Sequence, residues 1–128
     1  MYLVYVLKSG KYSYVGMTND FFHRWRQHTR EIKGGARYTS RHGTEMWHPI
    51  LIIDGFLTMK EAMQCEWKLK RKHGHFSRVQ WAHELLTSHE RWTSKSPRIQ
   101  DQSLTVYLDD TYRHLFPNYE TSQLYWKE

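Results

Sequence analysis

Apolar positions along the chain fall into three short dense runs and two long periodic stretches. "LVYVL" at residues 3–7 is β-branched and aromatic and apolar at successive positions, which predicts a strand buried on both faces. "KSGK" (8–11) carries a turn glycine, and "YSYVGM" (12–17) reads as the returning strand of a hairpin. A four-residue loop would set Tyr5 directly opposite Tyr14 on one face, whereas an odd-length loop without a bulge would put them on opposite faces. "PILIIDGF" (49–56) is a third strand.

The stretch beginning at Thr18, "TNDFFHRWRQHTREI", has the period of a helix. Thr18 or Asn19 caps it, Asp20 suits its positive end, and Phe21, Trp25 and Ile32 form the apolar stripe before Gly34 and Gly35 stop it. Residues 33–48 show no period and form a Gly-rich, basic loop. "TMKEAMQCEWKLKRKHG" (58–74) is a second helix, with Thr58 and Glu61 as a capping box and Gly74 as its stop. A further helix is predicted over 77–89 and a short strand at "LTVYL" (104–108). These elements predict an α/β (α+β) domain, a small, mainly antiparallel three-stranded sheet flanked by helices. Residues 1–76 would be its core and 77–128 a helical C-terminal extension packed on that core.

Composition narrows the class. A chain of 128 residues fits one domain, and a mean hydropathy of −0.82 describes a soluble one. The net charge of +6 is unevenly spread: residues 1–78 hold 14 Lys/Arg against 6 Asp/Glu, and residues 79–128 hold 5 against 7. A basic patch confined to one part of the chain is what a polyanion binder needs. One cysteine, Cys65, excludes an internal disulfide and any finger needing several thiolates, so no zinc is expected. The apolar start from Met1 to Leu7 is too short for a membrane span or a signal segment, so an intracellular protein without membrane attachment is expected.

Several side chains carry possible chemistry. Glu66 has Met59, Ala62 and Leu69 at helical spacing, so it lies in an apolar stripe, where a carboxylate is paired, protonated or bound to a metal. A hard cation such as Mg²⁺ suits one carboxylate together with phosphate oxygens and waters. Arg24 and His28 are four apart and point the same way, so Arg24 can clamp a phosphate while His28 bonds that phosphate, a water or a tyrosine. Each residue alone has an ordinary structural reading. Tyr5 and Tyr14 are plain strand aromatics unless a cation lowers a phenol enough to take a proton from water.

The ordered set resembles the GIY-YIG nuclease family. The name-giving triplets read Leu3-Val4-Tyr5 and Tyr14-Val15-Gly16, separated by a short hairpin. The match continues through Thr18-Asn19, Arg24 and His28 in "RWRQH", "KGGARY" at 33–38, and Glu66 in "CEWKLKR". Within the family "KGGARYTSR", "WHPILIIDGF" and "AMQCEWKLKR" are most similar to Slx-type structure-selective endonucleases. The Slx-type catalytic subunit carries a zinc-binding RING-like finger that docks a scaffold; a single cysteine cannot build one, so a scaffold partner of that kind is not implied.

The resemblance implies a GIY-YIG-like fold and a DNA endonuclease with one divalent metal, Mg²⁺ or Mn²⁺, held by Glu66. Tyr5 would be the general base, with Tyr14 orienting the phosphate or sharing that role. Arg24 would neutralise the scissile phosphate and His28 support it or a tyrosine. Gly16 would let the backbone pass close to substrate or to the helix start. Arg26, Arg30, Lys33, Arg37 and Arg41, then Lys68, Lys70, Arg71, Lys72 and Arg78, would grip the flanking phosphates, with Tyr38 and Trp92 able to stack on unpaired bases.

No base-reading helix is evident, so selection by shape is expected, on branched DNA such as four-way junctions, flaps or splayed arms. Paired cuts across a junction would suit a homodimer. The competing readings are a single-strand cutter, a non-catalytic nucleic-acid module, and a metal module built from Cys65, His73, His75 and His83.

Overall fold

The computed structural model describes residues 1–28, 39 and 46–124. Strand β1 (Tyr2–Ser9) turns into β2 (Tyr12–Thr18), followed by helix α1 (Phe21–His28) and strand β3 (His48–Phe56). Two helices, α2 (Met59–Leu69) and α3 (His75–Ser88), then lead to strand β4 (Thr105–Leu108). Short 3-10 turns span Ile99–Asp101 and Asp110–Leu115.

The sheet has four strands in the order β2-β1-β3-β4, all antiparallel, not three. The fourth comes from the C-terminal part: Val106 pairs with Ile53 and Leu108 with Leu51. That part is therefore not purely helical; it extends the sheet at its far edge.

β1 is buried on both faces because both faces of the sheet are covered. On one face Val4, Val6, Val15, Leu51 and Ile53 pack with Ala62, Cys65 and Leu69 of α2 and Val79, Ala82 and Leu85 of α3. On the other, Leu3, Tyr5, Leu7 and Ile52 pack with Phe21 of α1 and with Trp47. The predicted dense apolar runs follow directly from this double covering.

The hairpin turn is two residues, Gly10 and Lys11, with Gly10 at φ 56° where a tight II′-type hairpin turn needs a positive φ. Tyr14 consequently pairs with Leu7 and Tyr5 with Gly16. The two tyrosines share a face, as an even loop requires, but sit diagonally rather than directly opposite.

Helix boundaries also shift. The cap of α1 is Asp20, whose Oδ1 accepts from the His23 amide at 3.1 Å; Thr18 instead hydrogen-bonds the Asp20 backbone. The Thr58–Glu61 capping box forms as expected. α2 ends at Leu69, and Gly74 is the N-cap of α3 rather than the stop of α2.

Arg78 is a correction of another kind. Its expected place on a DNA-facing surface is replaced by burial at 9% exposure. Nη1 donates to the Ser13 carbonyl at 3.0 Å and to Ser13 Oγ at 2.9 Å, and Nε donates to the Lys72 carbonyl at 2.8 Å. Arg78 thus fastens β2 to the connection between α2 and α3. Arg78→Met is expected to cost about 2–4 kcal/mol in chemical denaturation, since it orphans buried acceptors, and Arg78→Lys to recover little because an ammonium cannot fork. Wild-type stability in Arg78→Met would refute this clamp.

Candidate active site

The site is built where β1, β2 and α1 meet. β1 presents Tyr5 on the α1 face, directly across from Gly16 of β2. The Tyr5 phenol lies over Gly16 itself. A Cβ there would fall on the Tyr5 hydroxyl and 2.5 Å from Cζ, with Tyr14 Cε2 at 3.0 Å. Gly16 therefore makes room for the Tyr5 ring.

Tyr5 is 1% exposed, and its hydroxyl is 2.8 Å from His28 Nε2. His28 Nδ1 lies 2.8 Å from Thr39 Oγ1, which is also buried. Phe21 packs edge-on against Tyr5 at 5.4 Å, and the Tyr14 ring stands 4.8 Å from His28. Tyr14 is only half-buried and reaches the surface.

Arg24 completes the cluster: its guanidinium interacts electrostatically with both tyrosines, which favour its charged form, and its Nη1 donates to Gln27 Oε1 at 2.8 Å. Thr39 and Gln27 were missed from sequence. Gln27 follows Arg24 at i,i+3 spacing, a signal that could have found it. Thr39 is reached only through the tertiary fold.

Electrostatics sets the protonation states. Burial, reinforced by Tyr14 and Glu66, pushes the Tyr5 phenol well above its ordinary pKa despite the opposing Arg24 charge. Tyr5 is therefore protonated and shielded from bulk water. His28 is pushed down to about 4, first by burial and then by the Arg24 charge. It is neutral near pH 7, so one ring nitrogen donates and the other accepts, and it can satisfy both hydroxyls at once.

An unfolded His28 takes up a proton near pH 6.5, whereas the folded one resists until about pH 4. Stability is thus expected to fall as pH drops through that window, by up to about 3 kcal/mol at 1.36 kcal/mol per unit. A pH series of melting curves should show this slope, and His28→Gln should lack it; equal slopes would refute the neutral buried imidazole.

Glu66 stands on α2 with its side chain 19% exposed, and Lys70 Nζ lies 3.6 Å from its Oε2. Its charge reaches Tyr5, which places it within electrostatic range of the cluster. Among the described residues no group of three or more His, Cys, Asp or Glu gathers to hold a metal. Glu66 is a hard carboxylate, 19% exposed, of a kind that would suit a divalent cation completed by phosphate oxygens and waters. The four residues of the competing metal module are not gathered. Cys65 is fully buried in the core, His75 bonds the Tyr112 hydroxyl at 2.7 Å, and His83 bonds the Pro117 carbonyl at 2.9 Å.

Of the expected DNA contacts, Arg26 is exposed on α1, and Lys70, Arg71 and Lys72 are exposed beyond Lys68 at the end of α2. Arg71 stacks over Trp67 and Lys72 over Trp81. Trp92 is fully buried and donates to Gln102 Oε1 at 2.8 Å, so it is a core ring and not a stacking platform. Arg30, Lys33, Arg37, Tyr38 and Arg41 lie outside the described residues.

Residues 1–79 match the family model of the GIY-YIG catalytic domain. The chain belongs to the GIY-YIG family. It carries that family's nuclease catalytic domain, and its relatives are Slx-type. It is 45% identical over 60 residues to the structure-specific endonuclease subunit SLX1 homolog of Giardia intestinalis, covering 47% of this chain and 16% of that one. It is 30% identical over 113 residues to structure-specific endonuclease subunit SLX1 of Podospora anserina, covering 86% and 32%. For the SLX1 subunit of Chaetomium globosum the figures are 33% over 107 residues, covering 81% and 33%. The GIY-YIG chain thus spans no more than a third of the length of these curated relatives. No helix among its described residues is long and apolar enough to cross a membrane.

Proposed function

We propose that this GIY-YIG chain is a divalent-metal-dependent DNA endonuclease that hydrolyses phosphodiesters in branched DNA. The observation that carries the reading is the joined cluster of Tyr5, His28, Thr39, Arg24 and Tyr14, closed beneath by Gly16. A plain binding module has no need of a buried neutral histidine fixing a buried phenol beside an arginine. The names of its relatives, structure-specific endonuclease subunits, point to branched substrates.

Arg24 neutralises the scissile phosphate as charge builds there. Tyr14, the tyrosine open to solvent, orients the attacking water and, after giving up its own proton to solvent, takes the water's proton as the phenolate. Tyr5, expected from sequence to be the base, instead holds His28 and Arg24 in place through its hydroxyl. Glu66 holds the cation, Mg²⁺ or Mn²⁺, which when bound supplies charge stabilisation at the phosphate and leaving oxygen. Exposed Arg26, Lys70, Arg71 and Lys72, with partly buried Lys68, hold flanking phosphates without reading bases. Two copies would deliver the paired cuts a four-way junction needs, and the protein would work inside the cell where such DNA is found.

The test is cleavage of labelled four-way junction, 5′ flap, splayed arm, duplex and single strand, with Mg²⁺ or EDTA. Metal-dependent cutting confined to the branched substrates is expected. Cutting of single strands alone would replace branch selectivity by single-strand specificity. Binding without cutting under Mg²⁺ or Mn²⁺ would overturn the enzyme reading.

A further inference from the structure

Beside Tyr14, on the outer side of the edge strand β2, lies an open cleft of about 410 Å³. Its wall on one side is β2 itself, with Lys11, Tyr12 and Tyr14; on the other it is the connection from α2 to α3, with Lys70 and His73. Arg78 forms the back wall and is the clamp that holds these two sides at a fixed separation. Among the described residues no acidic side chain lines the cleft. Lys11, Lys70 and His73 are exposed, so their charged or donor ends meet whatever enters. Lys70 links the cleft to Glu66 at 3.6 Å, and Tyr14 belongs to both the cleft and the cluster.

A concave, cation-lined space of this size accommodates one nucleotide with its phosphate. It cannot hold a base pair with two backbones. We infer that the cleft receives a single unpaired nucleotide of the cleaved strand, next to the scissile phosphate, with its flanking phosphodiester held by Lys11 and His73. This rests on the nuclease reading above and adds to it a physical basis for branch preference. A strand can leave the path of the duplex and enter only where pairing is already broken, at a fork, flap or junction. Blunt duplex must pay for unpairing first, which weakens its hold on the site.

The test is DNA binding in EDTA, read by fluorescence anisotropy, for wild type, Lys11→Ala and His73→Ala on a splayed arm and on blunt duplex. Both positions are exposed and melting temperatures verify that the variants fold. Each variant should bind the splayed arm about five- to tenfold more weakly, and duplex less than twofold more weakly. The slope of log affinity against log salt should drop by about one for Lys11→Ala on the splayed arm. A scan of single methylphosphonates along the strand should find one position beside the cut where wild type loses affinity and Lys11→Ala loses nothing further.

Equal weakening on both DNAs, or additive losses at every methylphosphonate position, would overturn the cleft assignment. If wild type cuts branched DNA while the variants bind like wild type, the cleft fails and the nuclease reading stands. If splayed-arm binding depends on Lys11 and His73 but nothing is cut with Mg²⁺ or Mn²⁺, the nuclease reading fails and the nucleotide site remains. Absence of DNA binding by wild type overturns both.

Discussion

Glu66→Gln is expected to lower metal-dependent cleavage by at least about 10³-fold while leaving the protein folded and able to bind branched DNA. The amide keeps the size and one oxygen of the carboxylate but loses the charge that a hard divalent cation selects. Glu66 has no acidic or histidine cluster around it, among the described residues, to take over that work. In the proposed mechanism, losing the cation would remove the charge stabilisation it would supply at the phosphate, and losses of 10²–10³ follow even from deleting one neutral transition-state donor.

Stability should barely move. The Glu66–Lys70 contact is a half-exposed i,i+4 pair at 3.6 Å, and pairs of that kind contribute about 0–1 kcal/mol. Removing a negative charge from a phosphate-binding surface should also leave DNA affinity equal or slightly higher. Single-turnover cleavage, anisotropy and thermal melts on the same preparations separate the three effects. Retained cleavage in Glu66→Gln would show that another group holds the cation; lost binding alongside lost cleavage would show that the residue is structural.

How far the sequence reached depends on the range of the interactions involved. The capping box of α2 is written in Thr58 and Glu61, three residues apart, and it forms as read. The dense run in β1 announced burial on both faces because no alternation was present to suggest one wet side. The hairpin register was less accessible: it hangs on whether Ser9 and Tyr12 pair, and that depends on Gly10 taking a positive φ. β4 is visible as a short apolar run, but its partner β3 lies about fifty residues upstream, and periodicity carries no information about pairing at that distance. The sheet was therefore read one strand short.

The site divides in the same way. Tyr5, Tyr14, Arg24 and His28 were legible as an ordered set, and the fold brings them together. Their environments were not legible, because burial follows from the tertiary fold. Tyr5 is shut in and protonated whereas Tyr14 is open, a difference created by α1 and Phe21 covering only one of the two rings. Arg78 misled for a related reason: a cationic residue near other cations reads as surface, yet three backbone and hydroxyl acceptors from distant segments make its burial favourable. Thr39 is eleven residues from His28 and gave no local sign of its role.

Gly16→Ala is expected to damage both function and fold, with cleavage falling about 100-fold and stability by about 1–3 kcal/mol. The reason is geometric. The added Cβ would occupy the position of the Tyr5 hydroxyl and press on Cζ at 2.5 Å, while Tyr14 Cε2 at 3.0 Å blocks the other side. Tyr5 cannot swing clear, because Phe21 packs on its edge and its hydroxyl is tied to a buried His28. The ring must shift, and with it the imidazole bonded to its hydroxyl and the electrostatic partnership of Tyr5 with Arg24. A displacement near 1 Å at such groups is enough for a loss on the order of 10² in rate.

A double-mutant cycle distinguishes this from a general strand defect. In a Tyr5→Phe background the most crowded atom, the hydroxyl, is gone, so Gly16→Ala should cost less stability and less activity there than in wild type. An additive cycle would mean that Gly16 is needed by the backbone of β2 alone, and that the close approach of Tyr5 is not what fixes this position as glycine.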